Sequence, residues 1–274
     1  MTAVSRTIER NMGVDPRDRV RGILLGLAAG DRIGGPLQMA LCLAESLAEC
    51  KGFTREDILL RYLAWWREEG FDTGPVAGRV FDLIASGVAD QKAVAQAHAE
   101  SGERTAGCNP AHRSPPLSMV AFLADDQLPD LARREASLTH QDPLAGDAAA
   151  AVVVLCRSLI KGTDWTAALA QASVGRDERI RAALLGKSNP SLHDGGFAPE
   201  ALRAAVFFLS TNTGFAAALE ASMAFAGLEN YSPVLVGAIA GARWGGEAVP
   251  SELLRHCKIL DRVQTAADAL VGSW

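Results

Sequence analysis

Carboxylate, histidine and cysteine side chains stand where predicted helices meet turns rich in glycine and proline. A carboxylate and a histidine that share one cleft can act as acid and base, and the free N–H groups of helix N-termini can hold anions. The junctions with this composition are residues 26–34, 72–75, 107–113, 139–144 and 229–232. They are the first candidates for a functional site.

Each junction also has a purely structural interpretation. Asp31, Asp72 and Asp142 stand beside predicted helix ends, where a carboxylate commonly caps the free N–H groups. His140, two residues before Asp142, fits a loop histidine bonded to a backbone carbonyl. Taken one at a time, capping and loop packing are the favoured interpretations of these residues.

Cys108 and His112 are four residues apart, so both could lie on one helical turn. A thiolate beside an imidazolium would be an arrangement for nucleophilic chemistry. Ordinary packing of a loop is the favoured alternative. The other cysteines are scattered without a C-x-x-C pair, which favours reduced thiols over disulfides or a zinc knuckle: Cys42, Cys50, Cys156 and Cys257.

The composition and charge argue against several partners. A net charge of −5 and the lack of a basic run disfavour binding to nucleic acid or to an anionic membrane. The sequence shows neither the apolar segment of a signal peptide near its start nor about 18 uninterrupted apolar residues later. We therefore expect a cytoplasmic protein with no nucleic-acid and no membrane partner.

Amphipathic periodicity predicts helices throughout the chain. Apolar residues recur at i, i+3, i+4 and i+7 over 20–30, Gly34 to Pro36 interrupt the pattern, and it resumes over 37–49. Thr54 to Asp57 has the composition of a capping box. A short polar residue directly before proline predicts three further helix starts, at Ser114-Pro115, Asp142-Pro143 and Ser232-Pro233.

The remaining periodic segments complete an all-α prediction. They span 90–100, 129–138, 164–172, 199–209 and 213–226, and no strand series appears. The turn-rich stretch 186–197 is either a surface loop, the favoured interpretation, or a lid. A chain of 274 residues with 49% hydrophobic residues can form one large core. We predict a polar N-terminal arm over 1–18 and a single domain over 19–274.

Five motifs in a fixed order resemble the ADP-ribosylglycohydrolases, a family that includes the dinitrogenase-reductase-activating glycohydrolase. The resemblance covers roughly 19–250, and its most specific segments are Thr-His-x-Asp-Pro-Leu and Gly-Ala-Ile-Ala-Gly-Ala. The motifs are the Gly-x-x-x-Gly-Asp-x-x-Gly of 26–34, the Gln-Met-Ala-Leu of 38–41, the Asp-Thr-Gly of 72–74, and the segments 139–144 and 237–242.

The resemblance implies a compact orthogonal helix bundle with a central cleft. It also implies two magnesium or manganese ions and hydrolysis of the bond between ADP-ribose and a protein side chain or related leaving group. Carboxylates would hold the ions, and the ions would orient the ribose hydroxyls and a water molecule.

The chain departs from the family pattern where the metal ligands belong. The family's Thr-Asp-Asp-Thr falls on Gly34 to Leu37, and the aspartates of its later cluster fall on Ser232 and Val234. A segment of some tens of residues that follows the family's Gly-Asp, and contains an acidic residue, is missing. Hard divalent cations need about six oxygen ligands, so we predict that the metal pair is lost and that no other cofactor replaces it.

The positions that match the family's motifs nevertheless predict a polar pocket. Asp31, Asp72 and His140 are the candidate catalytic residues, which could perform metal-free acid and base chemistry on a glycosidic bond. The candidate ligand-binding residues are Cys108, Asn109, His112, Arg113, Asp142, Asn230, Tyr231 and Ser232.

Three functions fit these expectations. The first is a divergent glycohydrolase that hydrolyses or binds an ADP-ribosyl or related N-/O-ribosyl ligand. The second is a catalytically inactive binding or regulatory protein, and the third is a structural protein that self-associates. The expected partners are a small ribosyl or nucleotide ligand or an ADP-ribosylated protein, and a second copy of the chain. Fold alone does not choose among these functions.

Overall fold

A computed structural model describes residues 13–186 and 191–274. Most of the predicted arm, residues 1–12, and part of the predicted loop, 187–190, lie outside the described residues. The described α-helices are α1 (Pro16–Gly30), α2 (Gly35–Cys50), α3 (Arg55–Glu68), α4 (Gly74–Ala85), α5 (Asp90–Glu100), α6 (Asn109–Arg113), α7 (Leu128–Ala136), α8 (Pro143–Ile160), α9 (Trp165–Ser173), α10 (Glu178–Leu185), α11 (Ala198–Thr211), α12 (Phe215–Ala226), α13 (Tyr231–Trp244) and α14 (Leu260–Val271).

The all-α prediction is confirmed, with local differences at several helix starts. Asp15 accepts a hydrogen bond from the Arg17 amide and Pro16 fills the first turn, so α1 begins within the segment assigned to the arm. The Thr54 side chain makes no capping hydrogen bond although α3 begins after it. Ser114-Pro115 opens a 3₁₀ helix, Pro115–Met119, rather than an α-helix.

Helix α8 lies at the centre of the core. It packs against α6, α7, α9 and α13, and most of its side chains are fully buried. By length and composition this one described helix could cross a membrane, but 89% of its 18 residues are buried inside the protein. A buried core helix can have the same length and apolar composition as a membrane-spanning helix. Here the apolar surroundings of α8 are the neighbouring helices.

Helices α1 and α13 approach each other to backbone contact along a line of glycines, which we call the glycine seam. It contains Gly22, Gly26 and Gly30 of α1, and Gly237 and Gly241 of α13. A Cβ atom on Gly26 would lie 2.0 Å from the carbonyl oxygen of Gly237. Glycine is therefore required at these positions by space.

The seam fixes the end of α1 relative to the start of α13. Asp31 follows α1, and Asn230 directly precedes α13, so close packing brings these two polar residues together. In the described residues the only extended pairing is a single β-bridge between Gly107 and Phe197. This bridge draws the segment before α11 across the start of α6.

Candidate functional site

A cavity of about 580 Å³ lies where several helix ends converge. Its walls come from the starts of α4, α6, α8 and α13 and from the segment at Gly196. Eight predicted site residues line it: Asp72, Cys108, Asn109, His112, His140, Asp142, Asn230 and Tyr231. The structure thus brings most of the candidates from four distant segments into one pocket.

Asp31 lies behind this wall, buried and fully engaged. Its carboxylate accepts hydrogen bonds from the amides of Gly34 at 2.7 Å and Leu37 at 2.8 Å, and from the Asn230 side-chain amide at 2.6 Å. The Ile33 amide adds a longer contact of 3.3 Å. Burial raises the pKa of Asp31, and these four donors oppose the rise. Because every partner donates an N–H, the arrangement suits an ionised carboxylate that stabilises the start of α2.

Asp72 occupies the cavity side of the same region. It has a left-handed backbone, φ 49°, which Asp adopts more readily than most residues. Its Oδ2 atom is buried without a hydrogen-bond partner among the described residues. Burial and then the negative charge of Asp31 raise the pKa of Asp72 to about 6. A carboxyl with this pKa exchanges between its protonated and ionised forms near pH 6 and is mainly ionised above it.

Two neutral histidines form part of the remaining wall. Burial lowers the pKa of His112 to about 4 and that of His140 to about 3, with Arg113 as a further, smaller cause for both. Nδ1 of His140 lies 2.8 Å from the Thr139 hydroxyl. Neither ring nitrogen of His112 has a hydrogen-bond partner within the described part of the chain. The cavity therefore presents uncharged imidazoles, and because a neutral imidazole has one donor and one acceptor nitrogen, His112 can both donate and accept a hydrogen bond.

The environment of Cys108 opposes thiolate chemistry. Burial raises the pKa of its thiol to about 12, whereas the same burial keeps His112 neutral. An ion pair between the two would place two charges in the protein interior at a large desolvation cost. The geometry supports ordinary packing, the favoured alternative from the sequence, over an activated nucleophile.

Comparison with known proteins agrees with this architecture. The profile described as ADP-ribosylglycohydrolase matches residues 37–274. The chain belongs to the ADP-ribosylglycohydrolase family. A chain from a solved "ADP-ribosylglycohydrolase-related protein complex" is 26% identical, with a TM-score of 0.79. The similarity covers 94% of the present chain and 99% of that one. No curated protein matches significantly.

The ADP-ribosylglycohydrolase profile begins later and ends later than the resemblance judged from motifs, which covered 19–250. Its first matched residue, Leu37, follows both Asp31 and the Gly34–Pro36 interruption. The match therefore extends through the last described helix, α14. The motif at 26–34, which was part of the resemblance and contributes Gly26 and Gly30 to α1, lies before the matched range.

The donor atoms available in this ADP-ribosylglycohydrolase fold do not suit a pair of hard divalent cations. No group of three or more His, Cys, Asp or Glu side chains converges among the described residues. The Asp31 oxygens are occupied by N–H donors, and Ser232 is buried with its hydroxyl 3.0 Å from that of Ser222. Val234 is an apolar core residue. Loss of the family's metal pair stays our prediction.

Two predicted ligand-binding residues do not reach the cavity. Ser232 lies in the first turn of α13 against Ser222. Arg113 is fully buried and forms an ion pair with Glu135 at 2.6 Å, while its second nitrogen donates to Asn109 Oδ1 at 2.6 Å. The Tyr62 hydroxyl donates to the same Glu135 carboxylate at 2.8 Å. Arg113 thus orients Asn109 in the wall rather than facing a ligand.

Asp142 is both a helix cap and a residue of the cavity wall. It caps α8 by accepting a hydrogen bond from the Leu144 amide at 2.9 Å, and it also lines the cavity. Asp72 does not cap α4, since Thr73 is the residue at that position. A residue that caps a helix beginning at the pocket can therefore also line the cavity.

Sequence reasoning missed part of the wall. Arg104 and Arg179 both line the cavity, together with Phe197. The Cys108 amide donates to the Gly196 carbonyl at 2.9 Å, so these segments meet through backbone hydrogen bonds. No local pattern marks these contacts, because they join positions about ninety residues apart.

Proposed function

We propose that the chain binds an ADP-ribosyl or related N-/O-ribosyl ligand in the cavity and that Asp72 is the acid–base group facing it. The observation that carries the proposal is a buried, partnerless Asp72 oxygen in the wall of a 580 Å³ cavity. Family membership supplies the ligand class. A volume of this size is ordinary for a small-molecule pocket, and unpaired buried polar atoms are costly unless a ligand or water satisfies them.

The chemistry available to Asp72 is proton transfer at a glycosidic bond. In its protonated form Asp72 gives its proton to the leaving nitrogen or oxygen as the bond to C1′ of the ribose breaks. A water molecule then attacks C1′ and returns a proton to the Asp72 carboxylate, which restores the acid. A pKa of about 6 suits both halves of this cycle near neutral pH. Neutral His112 and Asn230 face the same cavity and can orient ribose hydroxyls.

A second candidate is a catalytically inactive binding or regulatory protein. Most glycosidases use two carboxylates, one as acid and one as nucleophile or base. Here Asp31 lies behind the wall with its oxygens occupied by N–H donors, and Asp142, which lines the cavity, caps α8 through the Leu144 amide. This single observation favours binding without turnover. A purely structural role is less well supported, since a scaffold would have the cavity filled by side chains.

A hydrolysis assay separates the two candidates. The wild-type chain, Asp72→Asn and the control Asp126→Asn are incubated with ADP-ribosyl-arginine in EDTA from pH 5 to 8, and released ADP-ribose is quantified by chromatography. Asn tolerates the left-handed backbone of residue 72, and Asp126 is an exposed turn residue that does not line the cavity. We expect turnover in the wild type and control, with at least a hundredfold loss in Asp72→Asn. Binding without turnover would leave the inactive binding protein.

A further inference from the structure

The side chain of Asn230 does not fill the role that its position favours. Asn230 directly precedes α13, where asparagine commonly caps the free N–H groups of a helix, yet it makes no capping hydrogen bond. Its side-chain amide turns to the end of α1 instead. There Nδ2 donates to Asp31 Oδ1 at 2.6 Å, and Oδ1 accepts from the Arg32 amide at 3.2 Å. The Asn230 amide is therefore oriented by the segment after α1 rather than by its own helix.

Arg32 also fixes the loop that carries Asn230. Its guanidinium donates from Nη1 to the Gly227 carbonyl at 2.8 Å and from Nη2 to the Glu229 carbonyl at 2.5 Å. Two hydrogen bonds from one planar fork hold these carbonyls in a fixed relation to the arginine. Since Asn230 follows directly, its loop and its side chain are both bound to the segment after α1.

Asp31 and Asp72 meet at the start of α2. Asp31 accepts a hydrogen bond from the Gly34 amide at 2.7 Å, and a Cβ atom on Gly35 would lie 2.4 Å from the Asp72 carbonyl oxygen. Asn230 reaches the same place from α13, buried and lining the cavity together with Asp72. The amide bound to one aspartate thus lies beside the other.

The groups around Asp72 act on it in opposite directions. Burial, followed by the negative charge of Asp31, raises the pKa of Asp72. The Gly35 amide and the Asn230 side-chain amide oppose this rise, because an N–H donor stabilises an ionised carboxylate. Asn230 is the only side chain among these opposing groups, so a substitution can remove its effect without altering the backbone.

The other titratable groups that face this part of the cavity keep their charge between pH 5 and 8. Burial raises the pKa of the Cys108 thiol to about 12 and also raises that of Tyr231, so both stay protonated. Burial lowers the pKa of His112 to about 4, so its ring stays neutral. The cavity wall also contains charged residues that every variant below retains: Glu103, Arg104, Asp142 and Arg179.

We propose that Asn230 is a positioning residue for Asp72, held by Asp31 and Arg32 so that its side-chain amide stabilises the ionised Asp72 carboxylate. That carboxylate forms when Asp72 gives its proton to the leaving group. The inference deepens the proposed function and rests on it, since it takes Asp72 as the acid–base group. Without Asn230, burial and the charge of Asp31 would keep Asp72 protonated to a higher pH.

A carboxyl ¹³C NMR titration from pH 4 to 8, on protein with labelled aspartate, measures the titration midpoint of Asp72 without any ligand. The Asp72 signal is assigned by its absence in Asp72→Asn. The wild type is compared with Asn230→Ala and with the control Asn212→Ala. Asn212 is also half-buried or less exposed, donates through Nδ2 to the Phe208 carbonyl at 2.9 Å, and does not line the cavity. We expect the midpoint to rise by about one pH unit in Asn230→Ala only.

Arg32→Lys keeps the test decisive if Asn230→Ala does not fold. Arg32 is exposed, and lysine keeps its positive charge but cannot bond both loop carbonyls through one planar fork. The loop that carries Asn230 should loosen while the Asn230 amide itself remains. The midpoint of Asp72 should therefore rise in Arg32→Lys as well, by less than in Asn230→Ala.

The outcomes separate this inference from the proposed function. If the wild-type midpoint lies near 6 and no folded variant of Asn230 or Arg32 raises it, or if Asn212→Ala raises it equally, the positioning role is refuted while Asp72 keeps its acid–base role. If the Asn230 and Arg32 variants raise the midpoint but the wild type neither binds nor hydrolyses an ADP-ribosyl compound, the positioning contact stands and the proposed function fails. A wild-type midpoint near the ordinary 3.8 overturns both.

Discussion

Helices α1 and α13 take part in two regions with opposite packing. Along the glycine seam their backbones touch, and even a methyl group has no room. Just beyond the seam, after Asp31 and around Asn230, the chain leaves a cavity with partnerless polar atoms. The seam holds α1 and α13 together. The cavity contains polar protein atoms whose hydrogen bonds a bound ligand would complete. Substitutions in the first region should change stability, and substitutions in the second should change binding.

Substitution of Arg113 should have the largest effect and tests whether this residue belongs to the packed region or to the cavity. Its position in the sequence predicted ligand binding, whereas its contacts indicate packing. Arg113→Met should lower the free energy of unfolding by about 3–5 kcal/mol, since Glu135 would remain as a buried charge without its cation. Urea denaturation measures this loss. The matched double variant with Glu135→Leu should recover part of it. A stable Arg113→Met protein that fails to bind ADP-ribose would move Arg113 into the site.

Gly26→Ala tests the seam itself. Its new Cβ would meet the Gly237 carbonyl oxygen at 2.0 Å, so the two helices must separate, at an expected cost of about 2–3 kcal/mol in unfolding free energy. Gly214→Ala is the control, because a Cβ there would meet nothing within 4 Å. Thermal and urea unfolding of both variants provide the comparison. Equal stabilities of the two variants would show that α1 and α13 have room for a methyl group at residue 26.

The pH dependence of stability tests the cavity side. Because the folded pKa of Asp72 is raised from 3.8 to about 6, the folded chain binds the proton more tightly than the unfolded chain. Asp72 therefore destabilises the fold as the pH rises from about 4 to about 6, and the penalty is constant above that. After allowing for solvent screening at this partly exposed group, the wild type should lose about 1 kcal/mol relative to Asp72→Asn over this interval.

Urea denaturation of the wild type and Asp72→Asn at pH 4, 5, 6 and 7 measures this difference. The gap between the two proteins should widen as the pH rises. A constant gap would mean that Asp72 has an ordinary pKa and is solvated in the folded protein. Such a result would also remove the reason to assign it an acid–base role.

Cys108→Ala should have the smallest effect. Because the thiol is buried and protonated, the substitution should cost about 1 kcal/mol in stability and leave ribosyl binding and any turnover unchanged. Iodoacetamide should modify the native protein at the exposed Cys50 and spare Cys108. Lost turnover in a stable Cys108→Ala protein would instead support the nucleophile hypothesis.

The sequence predicted the features that depend on interactions between residues close together in the chain, and it did not predict those that depend on tertiary contacts. Periodicity and caps predicted the helices well, as at Asp142-Pro143, because these signals are local. The resemblance gathered Asp72, His140 and Tyr231 into one pocket. It could not separate Arg113 from the pocket, since burial against Glu135 depends on how α6 meets α7. Arg104 and Arg179 were missed because they meet the cavity only through the tertiary fold.

The same limit applies to the aspartate pair. Asp31 and Asp72 looked alike in the sequence, as polar residues beside a helix end. Four N–H donors surround Asp31, whereas Asp72 has an Oδ2 atom without a hydrogen-bond partner in the described chain, so the two carboxyl groups lie in different environments. This difference depends on the placement of Asn230, which comes from the other side of the seam.

A thermal-shift titration with ADP-ribose, in EDTA and in millimolar magnesium, tests the central claim most directly when wild type and Asp72→Asn are compared. The claim of a metal-independent ribosyl pocket at Asp72 predicts that ADP-ribose raises the wild-type Tm equally in both buffers and that Asp72→Asn shows little or no shift. A wild-type shift that requires magnesium, or one that Asp72→Asn retains in full, would contradict it.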